Sequence, residues 1–463
     1  MFRIENDLLG DLQVPINAYY GVQTQRAIEN FKLSNERLSN YPAFIKALAY
    51  VKWAAAKTNV ELGVLDSKIG EAIIAASKEV ITGKYNDQFP VDLIQGGAGT
   101  STNMNINEVI ANVALEKLGH KKGEYQYCSP NDHVNLAQST NDAYPTSIKL
   151  ALLYYNDDLI HNIKKLVQAF RKKSAEFSEI LKMGRTHLQD AVPMTLGQEF
   201  EAFAVSIENE IARLQCNSSY FLTINMGATA IGTGLNAFPG YASLCAKNLA
   251  EITGRPFVKS ANLIESTPDT SPYVFYSSSL KGLAIKISKL CNDLRLLASG
   301  PRCGLYEIKL PPMQPGSSIM PGKVNPVIPE VLNQLCFKVI GNDLSISLAA
   351  EAGQLQLNVM EPVIMYSMLE SLQLLTHGLD TLAEKCIVGI TCNGEHTRAM
   401  VLNSIGIVTA LNPHIGYKNS TKIAKEAFET GGSVYDLIIE KNILTKDVLD
   451  KLLNPENMLG VSE

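Results

Sequence analysis

An all-α fold is predicted by three features of this sequence. Long stretches lack glycine and proline, apolar residues recur every three or four positions within them, and alternating β-branched runs are scarce. Residues 147–183 contain neither Gly nor Pro, and Ile148, Leu152, Tyr155, Leu159, Ile163, Leu166, Phe170, Phe177 and Ile180 mark one face. The spacing predicts a single helix over 147–183; at 1.5 Å per residue it would run about 50 Å, so it has to pack along neighbours of similar length. Those neighbours are 198–226, again free of Gly and Pro, 275–299, with only Gly282, and 327–386, punctuated at Pro329, Gly341, Gly353, Pro362 and Gly378.

The expected organisation is three domains around a central bundle of long helices. Residues 1–138 form an N-terminal helical domain of short helices and turns, with Phe44, Leu48, Val51 and Ala55 on one helical face. Residues 139–395 form the bundle. Residues 396–463 form a small C-terminal helical domain, punctuated by Asn412-Pro413, Gly416 and Gly431-Gly432.

Composition narrows the function. With 463 residues, 46% of them hydrophobic and only 19% charged, the chain can bury a large core and has the composition of a protein that hides surface against copies of itself. The net charge of −5 comes from 41 basic and 46 acidic residues without a long run of one sign, which argues against nucleic acid and membrane surfaces as partners. Eight cysteines show no C-x-x-C pair and read as reduced small hydrophobes. With acidic residues at Glu5 and Asp7, where a secretory signal turns apolar, they point to a cytoplasmic protein. No His, Cys or carboxylate cluster has ligand spacing, so neither a catalytic metal nor a cofactor is expected.

Four polar segments carry the candidate chemistry. Gly316-Ser317-Ser318-Ile319-Met320-Pro321-Gly322-Lys323-Val324-Asn325-Pro326 combines hydroxyls, turn residues and one cation, which is equipment for holding a small anion. A phosphate-binding P-loop is excluded, since five residues separate Gly316 from Gly322 and Val324 follows the lysine. The others are Gly96 to Asn103, Gln138-Ser139-Thr140-Asn141-Asp142, and Gly184-Arg185-Thr186-His187-Leu188-Gln189-Asp190. All read as edges of helical runs, where free N–H groups favour anions, and together they could outline a pocket for two carboxylates. Gly232-Thr233-Gly234 loosely fits a dinucleotide fingerprint, but no strand precedes it and Pro239 blocks the helix that should follow.

From Asn17 to Tyr417, and above all in these four segments, the chain resembles the aspartase/fumarase superfamily, whose members eliminate a group from a succinyl skeleton. Several positions resemble its ammonia-lyase branch. Gly97-Ala98-Gly99-Thr100-Ser101-Thr102 stands where fumarases usually read Gly-Ser-Gly-Thr-Gln-Ser, and Ser139-Thr140-Asn141 where they read Ser-Ser-Asn. Val192 precedes Pro193 where they place Thr, and Val327-Ile328 replaces their Thr-Gln. Leu136 stands where many members have Lys, and Ser129 where fumarases carry a His linked to a secondary anion site.

The resemblance implies reversible removal of ammonia from L-aspartate to leave fumarate, in a homotetramer with sites shared by three subunits. It implies Ser317 as base, helped by Lys323 and by the amides of its own loop. Ser139, Thr140 and Ser318 would grip the β-carboxylate, and Thr186, Lys323 and Asn325 the α-carboxylate. Thr100, Asn141 and His187 would surround the amino group. Two alternatives are a class II fumarase, adding water to the same product, and a non-catalytic structural protein on the same scaffold. A retired site has no need to keep Ser317, Lys323, Asn325, Thr186 and His187 together, which argues against the second.

Overall fold

A computed structural model describes residues 1–454 and Asn457. Helices dominate: α1 (Val22–Asn30), α2 (Pro42–Glu61), α3 (Ser67–Ile81), α4 (Thr100–Lys117), α5 (Thr140–Glu176), α6 (Leu196–Ser218), α7 (Tyr241–Thr253), α8 (Leu263–Ser266), α9 (Ser271–Leu297), α10 (Val327–Glu351), α11 (Glu361–Lys385) and five short C-terminal helices, α12 (Gly394–Asn403), α13 (Val408–Ile415), α14 (Tyr417–Thr430), α15 (Val434–Glu440) and α16 (Lys446–Leu452). Among the described residues, strands occur as four short pairs. β1 (Phe2–Asp7) with β2 (Gly10–Pro15), β3 (Leu181–Thr186) with β4 (Gln189–Thr195) and β7 (Ile308–Lys309) with β8 (Thr391–Cys392) are antiparallel, whereas β5 (Thr223–Ile224) with β6 (Val258–Lys259) is parallel. The all-α expectation holds, with short strand pairs as its trim.

The chain divides into two compact units. One comprises residues 1–160, 212–282 and 338–375, the other residues 161–211, 283–337 and 376–463. Helices α5, α6, α9, α10 and α11 contribute residues to both.

In the first unit, Phe44, Leu48, Val51 and Ala55 on α2 are all completely buried, as their spacing predicts. Helix α5 starts at Thr140, earlier than the 147 expected, and carries Pro145 inside it. A proline here removes the N–H that would bond the Asn141 carbonyl four residues back. Asn225 replaces it, donating its Nδ2 to the Asn141 oxygen at 3.0 Å.

In the second unit the expected helix over 147–183 ends at Glu176, and residues 181–183 belong to β3. Packing ends it. The start of α6 crosses the end of α5 so closely that a Cβ on Gly197 would lie 2.5 Å from the Ser174 carbonyl oxygen, and Ser174 Oγ donates to the Gly197 oxygen at 2.9 Å. The Phe177 and Ile180 carbonyls, freed from helical pairing, accept from Gly197 and Leu196. The C-terminal helices close a core of Val401, Ile407, Leu411, Ile423 and Ile438 over Leu181 and Met183, so β3 is mounted on a helical layer.

Candidate active site

In the first unit, two turns present candidate residues. The turn before α4 holds Gly97, Ala98 and Gly99 at φ of 90°, 55° and 88°, all left-handed. Gly99 has a second reason to be glycine, since a Cβ there would come within 2.5 Å of the Tyr144 ring on α5. Thr100 then opens α4 exposed, its hydroxyl donating to the Gly97 carbonyl at 2.8 Å. With its proton engaged there, the hydroxyl can only accept from a ligand.

The turn before α5 is a reciprocal cap. Ser139 N donates to Asp142 Oδ1 at 2.9 Å, and Asn141 N donates to Ser139 Oγ at 3.2 Å. Asp142 is fully buried and also accepts from Gly227 and Thr229 amides at 3.1 and 2.9 Å. Burial pushes its carboxyl up to about 6, against the pull of those amides. Asn141 Nδ2 donates to the Ala230 carbonyl at 2.8 Å, which turns its carbonyl oxygen to the remaining direction as an acceptor. Ser139, Thr140 and Asn141 are partly exposed.

Beneath both turns lies a residue the motifs do not reveal. Lys52 of α2 is 0% exposed. Its Nζ donates to Asn103 Oδ1, Asn135 Oδ1 and Gln138 Oε1 at 2.8, 3.1 and 2.8 Å. The signal was available, since Lys52 lies four residues after Leu48 in the apolar stripe of α2.

In the second unit, Thr186 and His187 sit on the tip of the β3–β4 hairpin and not at a helix edge as expected. His187 and Leu188 form its two-residue turn, with φ of 55° and 59°, the left-handed pair that such turns require and that Asn-Gly normally supplies. Left-handed backbone at non-glycine residues costs roughly 1–2 kcal/mol each. The hairpin below absorbs it. Lys182 lies 2.6 Å from Glu199 and 3.0 Å from Glu307, and Arg185 lies 2.6 Å from Glu307, with Glu307 only 1% exposed. On β4, Asp190 Oδ2 accepts from Ser404 Oγ at 2.6 Å.

The serine loop is closed at its base. Gly316 N donates to the Lys323 carbonyl at 2.8 Å, and Asn325 Nδ2 donates to the Gly316 carbonyl at 2.7 Å. A Cβ on Gly316 would sit 2.7 Å from the Lys323 oxygen, so only glycine permits this clasp. Ser317 Oγ accepts from Ile319 N at 3.2 Å and Met320 N at 3.0 Å. Two N–H groups on one hydroxyl oxygen favour its ionised form. Ser318 and Lys323 are exposed on the loop.

The candidates thus fall into Thr100, Ser139, Thr140 and Asn141 in one unit, and Thr186, His187, Ser317, Ser318, Lys323 and Asn325 in the other. His133, close to the first group in sequence, is structural, its Nδ1 accepting from Ser129 N at 2.8 Å. Gly232 lets the chain pass over α8, where a Cβ would meet the Ile264 backbone at 2.3 Å, and serves no phosphate-binding turn. Among the described residues, no helix is long and apolar enough to cross a membrane, and no group of three or more His, Cys, Asp or Glu is arranged to hold a metal.

Known proteins similar to this chain identify its family. Residues 10–341 match the family described as lyase, and residues 407–460 match the fumarase C C-terminus. An aspartate ammonia-lyase from Helicobacter pylori is 58% identical, covering 99% of this chain and 98% of its own. That of Escherichia coli K12 is 56% identical over 99% of this chain and 96% of its own. Among solved structures, a fumarate lyase:delta crystallin from Brucella melitensis, bound to cobalt, superposes with a TM-score of 0.96 at 50% identity, covering 99% of both chains. A class II fumarase from Schistosoma mansoni gives 0.92 at 34% identity, again over 99% of both. This chain belongs to the lyase family that unites the aspartases and the fumarases.

Proposed function

We infer that the chain is an aspartate ammonia-lyase, a carbon–nitrogen lyase that deaminates L-aspartate reversibly to fumarate and ammonia. One observation carries this: full-length relatives of that activity are 56–58% identical to it, whereas the class II fumarase is 34% identical. The test is ultraviolet detection of fumarate from L-aspartate beside an identical assay with L-malate. Fumarate from malate alone would make it a fumarase, and silence from both would return it to the non-catalytic reading.

For the mechanism, we propose Ser317 as the base. It takes the Cβ proton, and the electron pair left on carbon moves into the β-carboxylate, which then carries two negative charges. Binding must be tightest to that aci-carboxylate form. Ser139, Thr140 and Ser318 hold it, Thr186, Lys323 and Asn325 hold the α-carboxylate, and Thr100, Asn141 and His187 contact the ammonium. When the intermediate collapses, the C–N electron pair leaves with nitrogen, so an α-ammonium departs as neutral ammonia without a further proton. What supports Ser317 is its acceptance of two loop N–H bonds; closure of the exposed loop around it over substrate would exclude water. No metal or organic cofactor enters this scheme, and a chelator should leave turnover intact.

We propose further that the protein is a cytoplasmic homotetramer in which loops of three subunits build each site. Residues 1–138, 139–395 and 396–463 would act as N-terminal, central and C-terminal domains, with the central one for assembly. In its support, Phe275, Ile285, Phe337, Leu344 and Leu348, all within 139–395, are each more than half exposed on α9 and α10. The eight free cysteines suit a reducing compartment.

A further inference from the structure

Lys52 is unusual for a buried lysine because, among the described residues, none of its hydrogen-bond partners is a carboxylate. Its three partners are the amide oxygens of Asn103, Asn135 and Gln138. An ammonium has three donors and no acceptor, so it matches three oxygens, while a neutral amine would point its lone pair at one of them. Burial pulls the amine down to about 7, and Asp142 and Cys245 nearby pull the other way. The side chain therefore stays buried at a cost that its partners must offset.

Those partners belong to two different turns. Asn103 lies three residues after Thr100 in the first turn of α4. Gln138 immediately precedes Ser139, and Asn135 lies three residues before that, in the approach to α5. Asn135 Oδ1 also accepts from Asn103 and Asn107 Nδ2, each at 3.1 Å, and Asn135 Nδ2 donates to the Gln138 carbonyl at 3.2 Å. One buried cation thus gathers both turns through a shared amide network.

We propose that Lys52 is a positioning residue for the reaction: it fixes the turn before α5 against the first turn of α4, and so sets where the hydroxyls of Ser139 and Thr140 meet the substrate carboxylate. The inference rests on the ammonia-lyase reading above. Misplaced donors matter more as charge accumulates on the carboxylate, so losing Lys52 should weaken binding of the charged intermediate more than binding of a ground-state diacid.

The experiment compares wild type, Lys52→Met and Asn135→Ala, each checked for helix content and assembly. Two probes are titrated: succinate as the ground-state diacid, and 3-nitropropanoate as its nitronate, whose planar charged end mimics the aci-carboxylate. Lys52→Met is expected to lower kcat/KM by about 10²-fold and to lose at least about tenfold more affinity for nitronate than for succinate. Asn135→Ala is expected to shift the same ratio by less, and carries the test if Lys52→Met does not fold. Equal losses for both probes, or unchanged kcat/KM in a folded variant, would overturn the proposal and leave Lys52 a structural lysine. A wild type that neither deaminates aspartate nor prefers the nitronate would instead overturn the ammonia-lyase reading, and this inference with it.

Discussion

Arg185 Nη1 lies 2.6 Å from the Glu307 carboxylate, one residue before Thr186 and two before His187. Glu307 also holds Lys182 on the same strand at 3.0 Å, so a single buried acid anchors the strand that ends in two proposed substrate contacts. Removing one partner of a buried ion pair leaves the other charge uncompensated, at a cost of about 3–5 kcal/mol. Lys182 retains Glu199 at 2.6 Å, which places the expected loss toward the lower end.

Glu307→Ala should therefore lower the thermal midpoint and speed amide hydrogen exchange in the β3–β4 hairpin before exchange rises elsewhere. Uniformly unchanged exchange in that hairpin would show that the pair does not hold it.

Ser317→Ala should keep helix content and assembly while turnover falls by about 10²- to 10⁴-fold, the usual contribution of a positioned base. The measurement is fumarate absorbance beside a far-ultraviolet spectrum. Activity close to wild type would remove Ser317 from the mechanism.

Assembly should be a condition of activity. Leu344→Asp, on an exposed apolar position of α10, should yield smaller species in sedimentation with helix content retained and activity lost. A monomer that turns over aspartate would sink the shared-site reading.

Glu79 ties α3 to the end of α4 and beyond, bonding Lys117, Lys84 at 2.9 Å and the Tyr85 hydroxyl at 3.0 Å. The Lys117 and Lys84 ammonium groups hold its carboxyl down at about 2, below its ordinary 4.5. A depressed carboxyl contributes stability that is present above its unfolded value and lost as pH falls from 4.5 toward 2. Because the group is about a third exposed, solvent screening keeps the contribution to about 1 kcal/mol or less. Glu79→Gln should lower the urea midpoint slightly at pH 7, and the difference should shrink once pH falls below 4.5. A constant difference from pH 7 down to about pH 3 would mean that the effect is not the ion pair.

Much of this was legible in the sequence, and the failures have physical causes. The stripe of Phe44, Leu48, Val51 and Ala55 identified a buried face because periodicity reports local geometry directly. The helix read over 147–183 missed at both ends. At the start, α5 runs through Pro145 because Asn225, far away in sequence, supplies the missing bond to Asn141. At the end, nothing between Glu176 and Met183 breaks a helix locally; the approach of Gly197 to Ser174 does.

The sequence by itself determined the helical class, the polar segments and the residues proposed for chemistry, because periodicity and motif order are carried by neighbours along the chain. Only the tertiary structure decided that Thr186 and His187 crown a hairpin, that Glu307 anchors it, and that Lys52 joins the turns before α4 and α5. Each depends on partners far apart in sequence, and a lysine among apolar residues shows its purpose only when the three oxygens it must satisfy have been folded around it.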